Sequence, residues 1–213
     1  MYFDPDKLDS QERYKLICAT IVPRPIAWVV SRSATGKLNA APFSFFNVMS
    51  NSPPVVALGI GPRNGEMKDT AKNIRETGEF VVNLVNFPMV GAMNVTAMDF
   101  DAESSEIEEA GLTTMASTKI ATPRIADSPV AFECTTRQTV DLGNMQFVVL
   151  GNIVAIHIAD EAMLDGERCY VDTPGLDLVG RMHGGGWYSR TTDRFEVHRL
   201  DVTHWRSKKS AAD

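Results

Sequence analysis

The stretch Ile26-Ala27-Trp28-Val29-Val30-Ser31-Arg32-Ser33, continuing through Ala34-Thr35-Gly36-Lys37 into Leu38-Asn39-Ala40-Ala41-Pro42-Phe43-Ser44-Phe45-Phe46-Asn47, decides the fold. Its first part is β-branched and aromatic, its middle carries a turn glycine, and its last part returns with three phenylalanines. It therefore reads as a β-hairpin with strands over 26–33 and 38–47. Downstream, Ser52-Pro53-Pro54 punctuates the chain before the apolar run Val55-Val56-Ala57-Leu58-Gly59-Ile60, short enough for a buried strand. Over 79–85, Phe80, Val82 and Leu84 alternate with Val81, Asn83 and Val85, a strand whose one polar member faces the less buried side. Two longer strands, 130–140 and 146–159, are joined by Asp141-Leu142-Gly143-Asn144, whose glycine and asparagine suit a tight turn. Antiparallel pairing dominates, and the fold class is mainly β with peripheral helices.

The helices lie between and before these strands. Residues 9–16 read as a short first helix, and Met67, Ala71 and Ile74 recur at helical spacing ahead of Gly78, giving a helix over 66–77. Residues 89–98 and the acidic 99–109 read as two more, the latter on the surface. Gly180-Arg181-Met182-His183-Gly184-Gly185-Gly186-Trp187-Tyr188 fits neither periodic template and reads as a loop that approaches something closely. No internal repeat or low-complexity linker interrupts the chain, so residues 1–213 read as one domain with a short N-terminal helix and a C-terminal tail.

Composition narrows the function classes. The 213 residues are 44% hydrophobic and 23% charged, with a formal net charge of −6. That balance argues against a nucleic-acid partner, and the basic Arg206-Ser207-Lys208-Lys209 cluster reads as solvated. No run of about 18 apolar residues is present and the opening residues are not signal-like, so no membrane partner and a cytoplasmic location are expected. Cys18, Cys134 and Cys169 are odd in number and widely spaced, as reduced thiols would be. The four histidines lack ligand spacing, so no metal site is expected. Gly59-Ile60-Gly61-Pro62-Arg63-Asn64-Gly65 imitates a dinucleotide fingerprint, but its third glycine falls one residue late and Pro62 removes a phosphate donor.

The candidate chemistry sits in three short segments. In Lys68-Asp69-Thr70-Ala71-Lys72-Asn73-Ile74, a helix start offers unpaired N–H groups and a positive dipole end, with Lys68 adding charge and Thr70 a hydroxyl. Asn73 lies three residues on, on the same helix face. The plainer reading is a helix capped by Asp69 or Thr70 with solvated lysines. Arg24, held between Pro23 and Pro25, is a pre-set guanidinium for a phosphate, or else a surface arginine at a strand entry. Strand alternation puts Phe43, Phe45 and Asn47 on one face and Ser44 and Phe46 on the other, a wall for a flat aromatic ring or simply core. His157, in an apolar strand, reads as a satisfied histidine at a strand edge in preference to a group beside a nicotinamide. Together the segments suggest a bound flavin nucleotide.

Taken in order, Pro23-Arg24-Pro25-Ile26-Ala27-Trp28, Asn39-Ala40-Ala41-Pro42-Phe43-Ser44-Phe45-Phe46-Asn47, Lys68-Asp69-Thr70 and Thr77-Gly78-Glu79-Phe80-Val81-Val82-Asn83 resemble the flavin reductase-like, FMN-binding split-barrel proteins that include flavoredoxin. Phe132-Glu133-Cys134, Gly151-Asn152-Ile153 and Gly180-Arg181 with Tyr188 match in order too, so the resemblance spans roughly residues 16–188. It implies a split β-barrel of the FMN-binding type, a homodimer with FMN at the subunit interface, and hydride transfer from NADH or NADPH to the flavin. The reduced flavin would then serve a monooxygenase or another redox acceptor. The phosphate would lie near Lys68, Asp69, Thr70 and the Arg24-Pro25 turn, and the ring against Ser44, Phe45, Phe46 and Asn47. Ala41, Pro42, Asn73, His183 and Tyr188 complete the candidate cofactor set, and no side chain is required as an acid or base. The chain departs from the common pattern at Met182-His183, where a small residue is usual, and at Asn152, where an acidic one is frequent. An FMN-binding electron carrier without its own nicotinamide site is the alternative.

Overall fold

The computed structural model describes residues 1–101, 104–199, 201, 202 and 205; the basic run at 206–209 and His204 lie outside the described residues. Helix α1 (Ser10–Thr20) leads into the two-residue β1 (Arg24–Pro25) and then β2 (Ala27–Arg32), β3 (Leu38–Phe43), β4 (Phe46–Asn51) and β5 (Pro54–Ile60). Helix α2 (Asp69–Thr77) and β6 (Glu79–Leu84) follow, then α3 (Val90–Val95), α4 (Glu106–Glu109), β7 (Thr114–Met115) and β8 (Arg124–Ile125). The long β9 (Val130–Asp141) and β10 (Phe147–Ile158) precede β11 (Met163–Asp165), β12 (Tyr170–Val171), β13 (Val179–Arg181) and β14 (Tyr188–Arg190).

One antiparallel sheet of seven strands, in the order β3-β2-β6-β9-β10-β5-β4, carries the architecture. It curls, bringing β3 into contact with β5 and β1 with β4. Its concave face encloses Ala27, Val29, Phe43, Leu58, Phe80, Val82 and Val149, plugged by Ala71 and Ile74 of α2. On the convex face Trp28, Val30, Val81 and Ala131 pack under Met93, Ile107 and Ile125. Strands β2 and β6 are therefore apolar on both faces, as a strand covered on both sides must be. Gly151 is required by close approach, since a Cβ there would lie 2.6 Å from the Phe80 ring. Gly78 ends α2 at φ +72°, donating its N–H to Ile74 O.

Five sequence expectations are corrected. The strand expected over 38–47 breaks at Ser44 and Phe45: β3 pairs with β2, whereas β4 crosses to β5, with Gly59 N–H donating to Phe45 O at 2.7 Å. Arg24 Nε donates to Ser44 Oγ and holds that corner, so the expected alternation of Phe43 with Phe45 is lost. Asn83 does not face the less buried side; it is fully buried, its Nδ2 donating to Trp28 O at 3.0 Å and its Oδ1 accepting from Ile125 N at 2.9 Å. The cause is β8, which lies across that face. The loop expected at 180–188 is a hairpin, β13 against β14, joined to β1. The acidic helix contracts to α4, capped by Ser105, and α2 starts at Asp69 because Arg63 and Glu66 exchange backbone hydrogen bonds in a tight turn before it.

Candidate functional site

Helix α2 is oriented by two buried polar pairs. Asn39 Nδ2 on β3 donates to Thr70 Oγ1 at 2.9 Å, and Asn73 Nδ2 donates to Ser31 Oγ on β2 at 3.1 Å. Thr70 and Asn73 are 1% and 7% exposed, so the helix face that carries them lies on the sheet. These bonds aim the start of α2 into a cleft of about 320 Å³ that Asn39, Ala41, Arg63, Lys68 and Asp69 help to line. Lys68 is the N-cap residue and provides no side-chain cap. The first N–H groups of a helix have no intrahelical acceptor, so this end presents donors and a positive dipole. Asp69 does not cap either; its carboxylate pairs with Lys72 Nζ at 3.0 Å.

Lys68 Nζ stands 5.0 Å from the centre of the Phe43 ring. Burial lowers its pKa, and the Arg63 guanidinium lowers it further. Arg63 in turn pairs with Asp99 and donates to Ala97 O at 3.4 Å. The site thus holds a partly desolvated ammonium beside a second cation and an uncapped helix head. That donor set matches a phosphate dianion.

A second group of expected site residues gathers around β1. Arg24 is 5% exposed and donates to Cys18 O at 2.7 Å, Ile21 O at 2.8 Å and Met182 O at 2.7 Å, besides Ser44 Oγ at 3.3 Å. Four of the five N–H bonds that a guanidinium offers go to protein acceptors, so Arg24 ties α1, the Ser44 corner and the β13–β14 hairpin together. Pro25 pairs with Gly180, the Tyr188 ring lies 4.7 Å under the Arg181 guanidinium, and His183 faces Trp187 at 5.6 Å. Phe45 is exposed and stacks on Tyr14 at 6.4 Å, whereas Phe46 packs on the inner core. Asn47 is exposed and accepts from Val48 N at 2.8 Å; Pro42 stands opposite Trp28.

His157 Nε2 meets Glu133 Oε1 at 2.5 Å. Glu133 is fully buried, and its oxygens also accept from Thr118 N and Lys119 N, each at 2.6 Å. Burial pushes this carboxyl up, but the bonds from Thr118, His157 and Lys119 outweigh it and hold the pKa below the usual range. His157 is thus a satisfied strand histidine. Cys18 and Cys134 are buried and Cys169 is exposed; burial, aided by Glu133, pushes the Cys134 thiol up to about 12. Among the described residues no metal-binding group of His, Cys, Asp or Glu occurs, and no helix is long and apolar enough to cross a membrane.

Sequence reasoning passed over Asn39, although period-two spacing from Ala41 and Phe43 puts it on the cleft side of β3. It also passed over Glu106 and Lys37 on the cleft wall, for which no local signal exists. Residues 19–174 match the flavin reductase like domain family. The chain belongs to that family. Among solved structures, the flavin reductase-like chain is 36% identical to Pseudomonas fluorescens 2-nitrobenzoate 2-nitroreductase NbaA, covering 95% of this chain and 98% of that one at a TM-score of 0.87. It is 32% identical to nitrilotriacetate monooxygenase component B from Bacillus cereus, over 92% and 98% of the two chains, with a TM-score of 0.86. A split barrel domain protein of Shewanella frigidimarina NCIMB 400 shares 21% identity over 94% and 100%, at 0.80. The curled sheet is a split barrel.

Proposed function

We propose that this flavin reductase-like chain binds FMN, takes a hydride equivalent from NADH or NADPH, and supplies the reduced flavin to a monooxygenase or another redox acceptor. The observation that carries the reading is the uncapped head of α2, opening beside Lys68 and Arg63 into the cleft. Lys68 and the first N–H groups of α2 hold the phosphate. Asn39, Thr70, Asn73 and Ser31 act as positioning residues that fix the helix direction. Thr70 Oγ1 accepts from Asn39, which leaves the hydroxyl proton for another acceptor. Arg24 orders the Ser44 corner, from which Ser44, Phe45 and Asn47 present the edge for the isoalloxazine, with Phe46 packed on the core behind them. Tyr188 and His183 stand on the neighbouring hairpin.

The cofactor's contribution is the redox chemistry itself, hydride transfer from C4 of the nicotinamide to N5 of the flavin, and the protein contributes binding and orientation. Two proteins similar over nearly their whole length, a nitroreductase and a monooxygenase component, support an oxidoreductase reading. A homodimer is part of the proposal. Tyr14 and Ile17 of α1 and Ile21 just after it stand exposed, together with Phe45, Val48 and Met49 of the Ser44 corner and β4. This exposed apolar surface supports the homodimer reading.

The test is an anaerobic spectrum. The protein loaded with FMN is expected to lose its flavin absorbance on addition of NADH or NADPH. A flavin that stays oxidised with both donors but is bleached by a reduced redox protein would replace the reductase reading with the electron carrier.

A further inference from the structure

Away from the α2 cleft, and sharing no lining residue with it, a second cavity of about 410 Å³ opens on the convex face of the sheet. Arg124, Ser128, Ile156, His157, Ile158 and Asp160 help to line it. Strand register builds it. Asn83, Ala131 and His157 stand opposite one another across β6, β9 and β10, so their side chains share one face. Asn83 Oδ1 accepts from Ile125 N, which lays β8 over that row and carries the neighbouring Arg124 into the same cavity as His157. Asp160 follows the end of β10 and stands exposed on the rim.

The polar groups here have bonding capacity to spare. Arg124 Nε is buried with no hydrogen-bond partner among the described residues, and Nη2 of the same guanidinium donates to the thioether of Met115. A thioether is a weak acceptor, so a fork of two donors that suits a carboxylate lacks a strong one. Glu133, kept ionised by its hydrogen bonds, accepts from His157 Nε2, which leaves Nδ1 of the neutral ring as an acceptor on its accessible edge. Ile156 and Ile158 add an apolar wall. Ser128 is no nucleophile for this histidine, because its Oγ donates to Leu84 O and Val130 O, each at 2.9 Å. The volume falls in the range of about 300–1,000 Å³ usual for small-molecule sites.

A simple carboxylate would gain from Arg124 but be repelled by Asp160, and a simple amine would meet the reverse. A ligand carrying both charges on one carbon satisfies the two. We propose that this cavity binds a free α-amino acid with an aliphatic side chain: the carboxylate on the Nε–Nη2 edge of Arg124, the ammonium between Asp160 and His157 Nδ1, and the side chain along Ile156 and Ile158. The site is independent of the flavin cleft and does not rest on the function proposed for it.

Full-length protein is titrated calorimetrically with L-leucine, with isocaproate, which lacks the ammonium, and with isoamylamine, which lacks the carboxylate. Leucine is expected to bind at least about tenfold more tightly than either. Arg124→Gln is expected to weaken leucine at least about tenfold, and Asp160→Asn at least about fivefold without weakening isocaproate. Asp160 is exposed, so its variant probes the site without disturbing the core. Equal binding of the three compounds, no binding of leucine at about 10 mM, or leucine affinity unchanged by Asp160→Asn would overturn the proposal.

Discussion

The two long helices begin in opposite ways. Helix α1 has a full capping box: Asp9 Oδ1 accepts from Glu12 N at 2.8 Å, and Glu12 Oε2 accepts from Asp9 N at 3.0 Å. Helix α2 starts on Lys68, with no side-chain cap and a cation where α1 has an anion. A capping box satisfies the free donors of a helix internally and places negative charge at the positive dipole end. Lys68 does neither. The direction of α2 is fixed by two buried hydrogen bonds while its head carries no side-chain cap, an arrangement that supports the proposed phosphate site. On the proposed function, the difference is that between a helix closed by its own cap and one left open for a ligand.

The largest effect is expected from giving α2 the kind of cap that α1 has. Lys68→Ser does so and removes the cation. FMN affinity is expected to fall about 10- to 100-fold, the 1.5–3 kcal/mol of a charge-assisted bond, while thermal unfolding shows a gain of about 1 kcal/mol. An unchanged affinity measured by fluorescence titration would leave the α2 head with no role in binding.

The next effect concerns how α2 is aimed. Thr70→Val leaves the buried Asn39 amide without its acceptor, and denaturant unfolding is expected to show a loss of about 1–3 kcal/mol. FMN binding should weaken with it. A stability loss with full FMN affinity would show that the Asn39–Thr70 bond is structural only.

The control lies in α1. Asp9→Ala removes half of the capping box and should cost about 0.5–2 kcal/mol in a thermal melt, with FMN affinity unaltered. Smallest is the pH dependence. Because burial and Arg63 lower the pKa of Lys68, its ammonium is lost at a lower pH than an ordinary lysine's. FMN affinity should therefore decline on the alkaline side earlier than free lysine would dictate. It should decline again below about pH 6, where the monoester takes up a proton. Isothermal titration across pH checks both limbs.

Much of this contrast can be read in the chain. The spacing of Met67, Ala71 and Ile74 and the stop at Gly78 are local signals. So are β2 and its return through Gly36. The broken strand at Ser44 is different, because the Arg24 guanidinium that holds the corner also binds Met182, 158 residues away in sequence. Asn83 reads as facing the less buried side because alternation cannot reveal that β8 covers the convex face. Thr70 and Asn73 were legible as a polar pair on one helix face, but which surface that face meets depends on Asn39 and Ser31 across the sheet. The glycines of 184–186 suggest a loop and obscure the short strands on either side, of which β13 pairs with β1, far away in the chain.

Phosphate recognition by the head of α2 is isolated by riboflavin. Riboflavin has the same ring system as FMN and lacks only that group. Parallel titration of the flavin-free protein should show FMN binding about 10- to 100-fold more tightly than riboflavin, with the difference largely erased in Lys68→Ser. Equal affinity for the two flavins in the unaltered protein would contradict the account.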